Sequence, residues 1–196
     1  MSGENCFKVL EKIFEPKKKE EIEDIKGYRM KYGNIVADGE IVDEVLVSYF
    51  KAPRSYTAEN MCEINSHGGN IVVKKILELC LKNGAELAEP GEFTKRAFLN
   101  GRIDLLQAES VIDIINAKSE REAKTGIKQL EGSLSNEIAK IKKEILDVMV
   151  NIEVAIDYPE YEDVEELTAD KLLPMSTSLI EKMNKIIEDS KNIKLL

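Results

Sequence analysis

The sequence predicts an α+β fold in its first half and an all-α second half, and three observations carry that prediction. Apolar residues alternate on either side of an Asp38-Gly39 turn, which is the signature of a β-hairpin over residues 28–50. Between Met61 and Gly84 a short apolar strand pattern breaks at Gly68-Gly69 and gives way to a helical one. Beyond Asn100-Gly101 the apolar residues recur almost only at steps of three and four, the period of a helix.

In chain order, the opening reads as a helix, because Cys6, Val9, Leu10 and Ile13 share one helical face and Pro16 lies just past them. After a charged connector, Tyr28, Met30 and Tyr32 alternate with basic residues as in a half-buried strand, and Val45, Val47 and Tyr49 mark the returning strand. Met61 to Ser66 is a short strand, broken by His67-Gly-Gly69. Ile71 to Leu81 is a helix closed by Asn83-Gly84, and residues 85–88 form another short strand ending at Pro90-Gly91. The run from Glu89 to Asn100 packs Phe93 and Phe98 as a short helix. Asp104 caps a helix reaching about Ala117, with Leu105, Ala108, Val111, Ile112 and Ile115 on one face.

From Ile127 the apolar positions run Leu130, Leu134, Ile138, Ile141, Ile145, Val148, Ile152 and Ala155, which predicts one helix from about Ser119 to Ile156. At 1.5 Å per residue it would be ~55 Å long, and its stripe needs partner helices. A third helical segment, about Ala169 to Lys191, uses Leu172, Leu179, Met183 and Ile186, with Pro174 marking a later start or a kink. The predicted division is therefore residues 1–100, α+β, and residues 101–196, helical with at most three helices.

A chain of 196 residues, 43% hydrophobic and 33% charged, can bury a sizeable core and has the composition of a soluble cytoplasmic protein. No apolar run approaches the ~18 residues of a membrane span, and the polar opening does not resemble a secretory signal. The net charge of −9 argues against broad nucleic-acid binding. Residues 1–100 hold 15 basic and 17 acidic side chains and residues 101–196 hold 13 and 20, so any RNA contact needs a local patch. The acidic run from Asp157 to Glu166 reads as a solvated loop rather than a metal site. Cys6, Cys62 and Cys80 are odd in number and widely spaced, which predicts buried free thiols.

Candidate chemistry is sparse. The sequence contains no G-x-x-x-x-G-K-[ST] phosphate loop, so nothing in it supplies the Lys and Ser/Thr that hold a nucleotide's phosphates and magnesium. The lone His67 is either a hydrogen-bonded structural residue or a general base, and a hydrolase built on His67 and Glu63 lacks a nucleophile. Glu63, within the short strand, either faces solvent or points into a pocket where it accepts two hydrogen bonds from an amino-pyrimidine edge. Arg102, beside the Asn100-Gly101 turn, is either solvated or a clamp for a ligand's carboxylate.

Three stretches carry a resemblance: Ala52-Pro-Arg-Ser-Tyr-Thr57, His67-Gly-Gly69 and Glu89-Pro-Gly-Glu-Phe-Thr-Lys-Arg-Ala-Phe-Leu-Asn100, the last running on into Gly101-Arg-Ile-Asp-Leu105 and Gln107-Ala-Glu109. Tyr32-Gly33-Asn34-Ile35, Asp43-Glu44-Val45-Leu46-Val47 and Ala155-Ile156-Asp157 match in order as well. Together they resemble the MnmE (TrmE) family of tRNA-modification GTPases over nearly the whole chain.

The resemblance implies an amino-terminal domain similar to the folate-binding domain of the glycine-cleavage T protein, which binds a tetrahydrofolate derivative (formyl- or methylene-type) and mediates homodimerisation. It implies work with an MnmG-type flavin protein on the wobble uridine of tRNA. GTP, magnesium and potassium would enter only through a GTPase domain expected beyond Leu196. By position, Glu63 matches the family's folate-contacting glutamate and Arg102 a Lys/Arg-type folate contact, which favours the pocket reading for both. The family opens with a β-strand ending in a folate-contacting Arg before a hydrophobic-Ser-Gly step. Met1-Ser2-Gly3 resembles that step, so the strand is expected upstream of Met1. The alternative from another class is a non-catalytic helical interaction module that no longer binds folate.

Overall fold

The computed structural model describes residues 1–18, 27–157 and 169–194. Beyond Asp157 the acidic run, like most of the charged connector before Tyr28, lies outside the described residues. The chain forms two compact units, Met1–Gly126 and Ile127–Leu196.

The first unit is built on a four-stranded antiparallel meander, β1 (Phe14–Pro16), β2 (Tyr28–Ala37), β3 (Glu40–Phe50) and β4 (Met61–Asn65), in spatial order β1-β2-β3-β4. The hairpin turns where the sequence placed it: Asp38 and Gly39 both adopt positive φ, at 53° and 82°, the pairing that matches the twist of flanking strands. Helices α1 (Cys6–Glu11) and α2 (Asn70–Lys82) supply Phe7, Leu10, Ile76 and Cys80 to the core beneath one face of the sheet. Ile35, Val45, Val47, Tyr49 and Cys62 meet them from the strands. All three cysteines are buried and free. Helix α2 ends as read, with Asn83 at its cap and Gly84 at φ 105°.

This unit departs from the sequence expectation in three places. Residues 85–88 are not a strand. Ala85 N–H bonds back to Cys80 O at the end of α2, and among the described residues no strand pairs with the segment. A strand that sequence reading missed, β1, pairs Phe14 with Ile35 and Pro16 with Gly33. Its three residues are too few to display a period, and Pro16 is tolerated because the strand is at the sheet edge.

The polarity of β2 is also the reverse of the expectation. Tyr28 (66% exposed), Met30 (59%) and Tyr32 project from the open face, whereas Lys31 is only 8% exposed. Strand parity forces this: Ile35 must enter the core, and Gly33 and Lys31 share its face. The Lys31 ammonium lies 5.6 Å from the centre of the Tyr49 ring, a cation–π contact that offsets part of the cost of burial.

Helices α3 (Glu92–Leu99) and α4 (Leu105–Asn116) pack against each other. Asp104 caps α4 as predicted, and a full capping box forms: its carboxylate accepts the Gln107 N–H at 2.9 Å while Gln107 Oε1 accepts the Asp104 N–H at 3.0 Å.

The single ~55 Å helix is instead two, α5 (Glu120–Leu130) and α6 (Ser133–Asp157). Gly132, at φ 84°, ends the first in the left-handed conformation that closes helices. The step from Leu130 to Leu134 keeps helical spacing across the break, so periodicity alone cannot reveal it. The Ser119 hydroxyl accepts the Glu122 N–H at 3.2 Å and starts α5. Residues 101–196 thus hold four helices among those described, not three, the last being α7 (Ala169–Lys194), which runs through Pro174.

In the second unit α6 and α7 pair, and Glu144 bridges Lys182 at 2.6 Å. Leu179 is buried between them, but Ile138, Ile145, Met149 and Val150 stay exposed, so α7 covers only part of the α6 stripe. No helix among the described residues is long and apolar enough to cross a membrane.

Candidate functional site

Two of the sequence motifs, far apart in the chain, meet in space. The 52–59 loop, which contains a cis Ala52-Pro53 bond, leaves β3 and returns to β4. It packs against α3, the helix of the Glu89–Asn100 motif. Thr57 is fully buried, and its carbonyl accepts a 2.7 Å bond from Asn100 Nδ2. The Thr57 and Ser2 hydroxyls lie 2.6 Å apart, and Ser2 Oγ donates to Glu59 Oε2 at 2.8 Å. Tyr56 OH and Thr94 Oγ1 are 2.9 Å apart.

Arg96 ties the network together. Its guanidinium makes two bonds to Glu92 Oε1, at 2.9 and 2.7 Å, and reaches Glu59 at 3.3 Å. The i,i+4 spacing of Glu92 and Arg96 on α3 places them on one face. Glu92 also accepts the Glu89 N–H at 2.8 Å, and this bond, followed by the Arg96 pair, holds its carboxyl below the usual carboxylate range. Beside the network lies a cleft of about 270 Å³, walled by Ser2, Gly3 and Cys6 on one side and by Leu87, Phe93 and Arg96 on the other.

The two predicted site residues stand in different settings. Glu63 lies in β4 opposite Ser48 of β3, on the exposed face of the sheet. Strand alternation puts it with Met30, Tyr32 and Leu46, opposite the core residue Cys62. Among the described residues its carboxylate makes no hydrogen bond or ion pair. Arg102 follows α3, and its guanidinium stacks on the Tyr56 ring at 4.7 Å, with its fork left open to solvent. No hydrogen bond or ion pair joins Glu63 to Arg102, and neither lines the 270 Å³ cleft.

His67 takes the structural alternative. Its Nδ1 lies 2.7 Å from Asp43 Oδ1 and its backbone N–H donates to Asp43 Oδ2 at 2.8 Å. Asp43 also accepts the Glu44 N–H at 2.9 Å. Burial alone would raise the Asp43 carboxyl, but the bonds from His67 and Glu44 outweigh it and hold the group below its ordinary value. This clamp fastens the 65–69 turn to β3. Among the described residues no hydroxyl or thiol is bonded to the His67 ring, so there is no nucleophile for it to activate. Nor does any cluster of three or more His, Cys, Asp or Glu among them suit a metal ion.

Sequence reasoning placed Thr57 and Arg96 within motifs but gave neither a role, and it did not single out Glu59. The Glu92–Arg96 spacing was readable, but the partner loop lies nearly forty residues upstream, and no local pattern announces that contact.

A motif-built polar network against a helix-backed meander, with helices following in the chain, defines an α+β domain joined to a helical one. Comparison with known sequences identifies the pair. The family described as "GTP-binding protein TrmE N-terminus" matches residues 1–102, and the "MnmE helical domain" family matches residues 105–196. The tRNA modification GTPase MnmE of Listeria welshimeri is 45% identical over 196 residues, and that of Lactobacillus delbrueckii subsp. bulgaricus 46% identical over 198. The counterpart from Alkaliphilus metalliredigens is 47% identical over 198 residues. Each alignment covers all of this chain and 42 or 43% of the relative. The chain belongs to the MnmE (TrmE) family. It spans less than half the length of the curated relatives it matches.

Proposed function

We propose that this chain supplies reduced-folate binding and homodimerisation to a GTP-dependent protein that modifies the wobble uridine of tRNA. The observation that carries the reading is the open face of the sheet. Tyr28, Met30, Tyr32 and Leu46 are all more than 40% exposed there, around the unpaired carboxylate of Glu63. A flat pterin needs an apolar surface and a carboxylate able to accept two N–H bonds, and this face offers both. An apolar patch on a sheet also suits a second copy of the chain. Arg102, held by Tyr56 with its donors outward, is the contact for a ligand's carboxylate.

In the whole protein this chain would act beside a GTPase domain using GTP, magnesium and potassium, and with an MnmG-type flavin protein, on tRNA in the cytoplasm. The test is calorimetric titration of a reduced folate into the protein, with Glu63→Gln and Arg102→Ala alongside. Losing a charge-assisted bond weakens binding about tenfold or more. Saturable binding that both substitutions weaken supports the reading; an unchanged dissociation constant for Glu63→Gln removes Glu63 from the site.

A further inference from the structure

The three cysteines are not equivalent. Cys6, the first residue of α1, and Cys62, in β4, belong to one core cluster, and each thiol influences the titration of the other. Cys6 Sγ donates to the carbonyl of Asn60, two residues before Cys62, at 3.0 Å. Backbone bonds fix this approach: Cys6 N–H donates to Gly3 O at 3.2 Å, Gly3 N–H to Asn60 O at 2.9 Å, and Cys62 N–H to Met1 O at 3.0 Å. Cys6 also forms part of the wall of the 270 Å³ cleft, whereas Cys62 lies behind it and is 1% exposed. Cys80 is buried in the same core and does not line the cleft.

We propose that Cys6 and Cys62 are a peroxide-sensitive thiol pair, in which Cys6 is oxidised from the cleft and Cys62 resolves it to a disulfide joining α1 to β4. The roles follow from the environment. The hydrogen bond with Cys62 favours the Cys6 thiolate and prevails over burial, which opposes it, so Cys6 titrates below an ordinary thiol. The same bond, reinforced by burial, pushes Cys62 well up. Cys6, on the wall of the cleft, is also the sulfur that a small oxidant reaches first.

The chemistry balances with a small peroxide as oxidant. The Cys6 thiolate attacks one oxygen of hydrogen peroxide; the S–O bond forms, the O–O bond breaks and hydroxide leaves, giving the sulfenic acid. The Cys62 thiolate attacks the Cys6 sulfur, the S–S bond forms and the S–O bond breaks, again releasing hydroxide. The two thiol protons and the two hydroxides make two waters. The pair of sulfurs has lost two electrons and the peroxide has gained them.

The test treats the native chain with hydrogen peroxide, blocks remaining thiols and digests with trypsin under non-reducing conditions. The cysteines fall in separate peptides, Met1–Lys8, Ser55–Lys74 and Ile76–Lys82, so each linkage is distinguishable by mass. The expected product links Met1–Lys8 to Ser55–Lys74 within one chain and is released by dithiothreitol, with Cys80 still free. In Cys62→Ser, dimedone should label Cys6. The proposal is overturned if both thiols stay reduced in native protein, if linkage appears only after denaturation, or if Cys80 or a second chain takes part instead.

Discussion

Gly33 is where one methyl group should matter most. A Cβ at Gly33 would collide with the Glu15 carbonyl and come within 2.7 Å of the Phe14 ring, both in the paired strand β1. Neither can retreat without breaking the strand pair or the core. Gly33→Ala should therefore cost roughly 1–3 kcal/mol, as overpacking does, read as a lower midpoint in urea unfolding. Asp43 gives a pH-dependent prediction. Its folded-state titration is depressed below the ordinary value of 3.8, so its contribution is complete above that pH and is lost as pH falls through the lower folded value. Asp43→Ala should cost ~1–2 kcal/mol near neutrality. Melting curves of the two proteins should converge as the pH drops below about 4. At this scale the sequence was legible where a residue obeys a local rule, as with the Asp104 cap, Asp38-Gly39 and the buried cysteines. It misled at Lys31, because strand parity is set by Ile35 across the sheet and not by the average character of neighbouring residues. For Glu63 and Arg102 the residues alone left solvent and ligand contact both open, and only the family resemblance favoured the pocket.

Among the elements, helical spacing marked α2, α4 and α7 and the stretch that holds α5 and α6, but not every boundary. One glycine divides α5 from α6, and the apolar steps on either side continue as though it were absent. Strand β1 was invisible because its three residues matter only through their partners in β2. The apolar stripe anticipated along residues 127–155 is interrupted at Gly132, and on its α6 part α7 leaves Ile138 and Ile145 exposed. An uncovered apolar stripe promotes self-association. The chain should form dimers or larger species to which α6 contributes, and Ile138→Glu with Ile145→Glu should reduce the mass seen by light scattering. An unaltered dimer would assign association to the first unit alone, and a monomer before substitution would refute both routes. Close packing of α4 against α5 is equally specific. A Cβ on Gly126 would meet Ile114 Cγ1 at 2.6 Å, so Gly126→Ala should lower the melting temperature measurably.

For the molecule as a whole, the family was legible from motifs, while the reason for those motifs was not. The 52–57 and 89–100 stretches prove to be two halves of one hydrogen-bonded network through Thr57, Asn100 and Arg96. A linear reading has no means of joining them. Because the sequence holds no phosphate loop, the chain by itself should release no phosphate from GTP above a buffer control. Whether the open sheet face around Glu63 takes a reduced folate, as proposed, is decided by calorimetric titration of wild type against Glu63→Gln. A folate site on that face gives saturable binding to wild type and an affinity about tenfold or more weaker for the variant. Equal affinities, or no binding to wild-type protein, would contradict it.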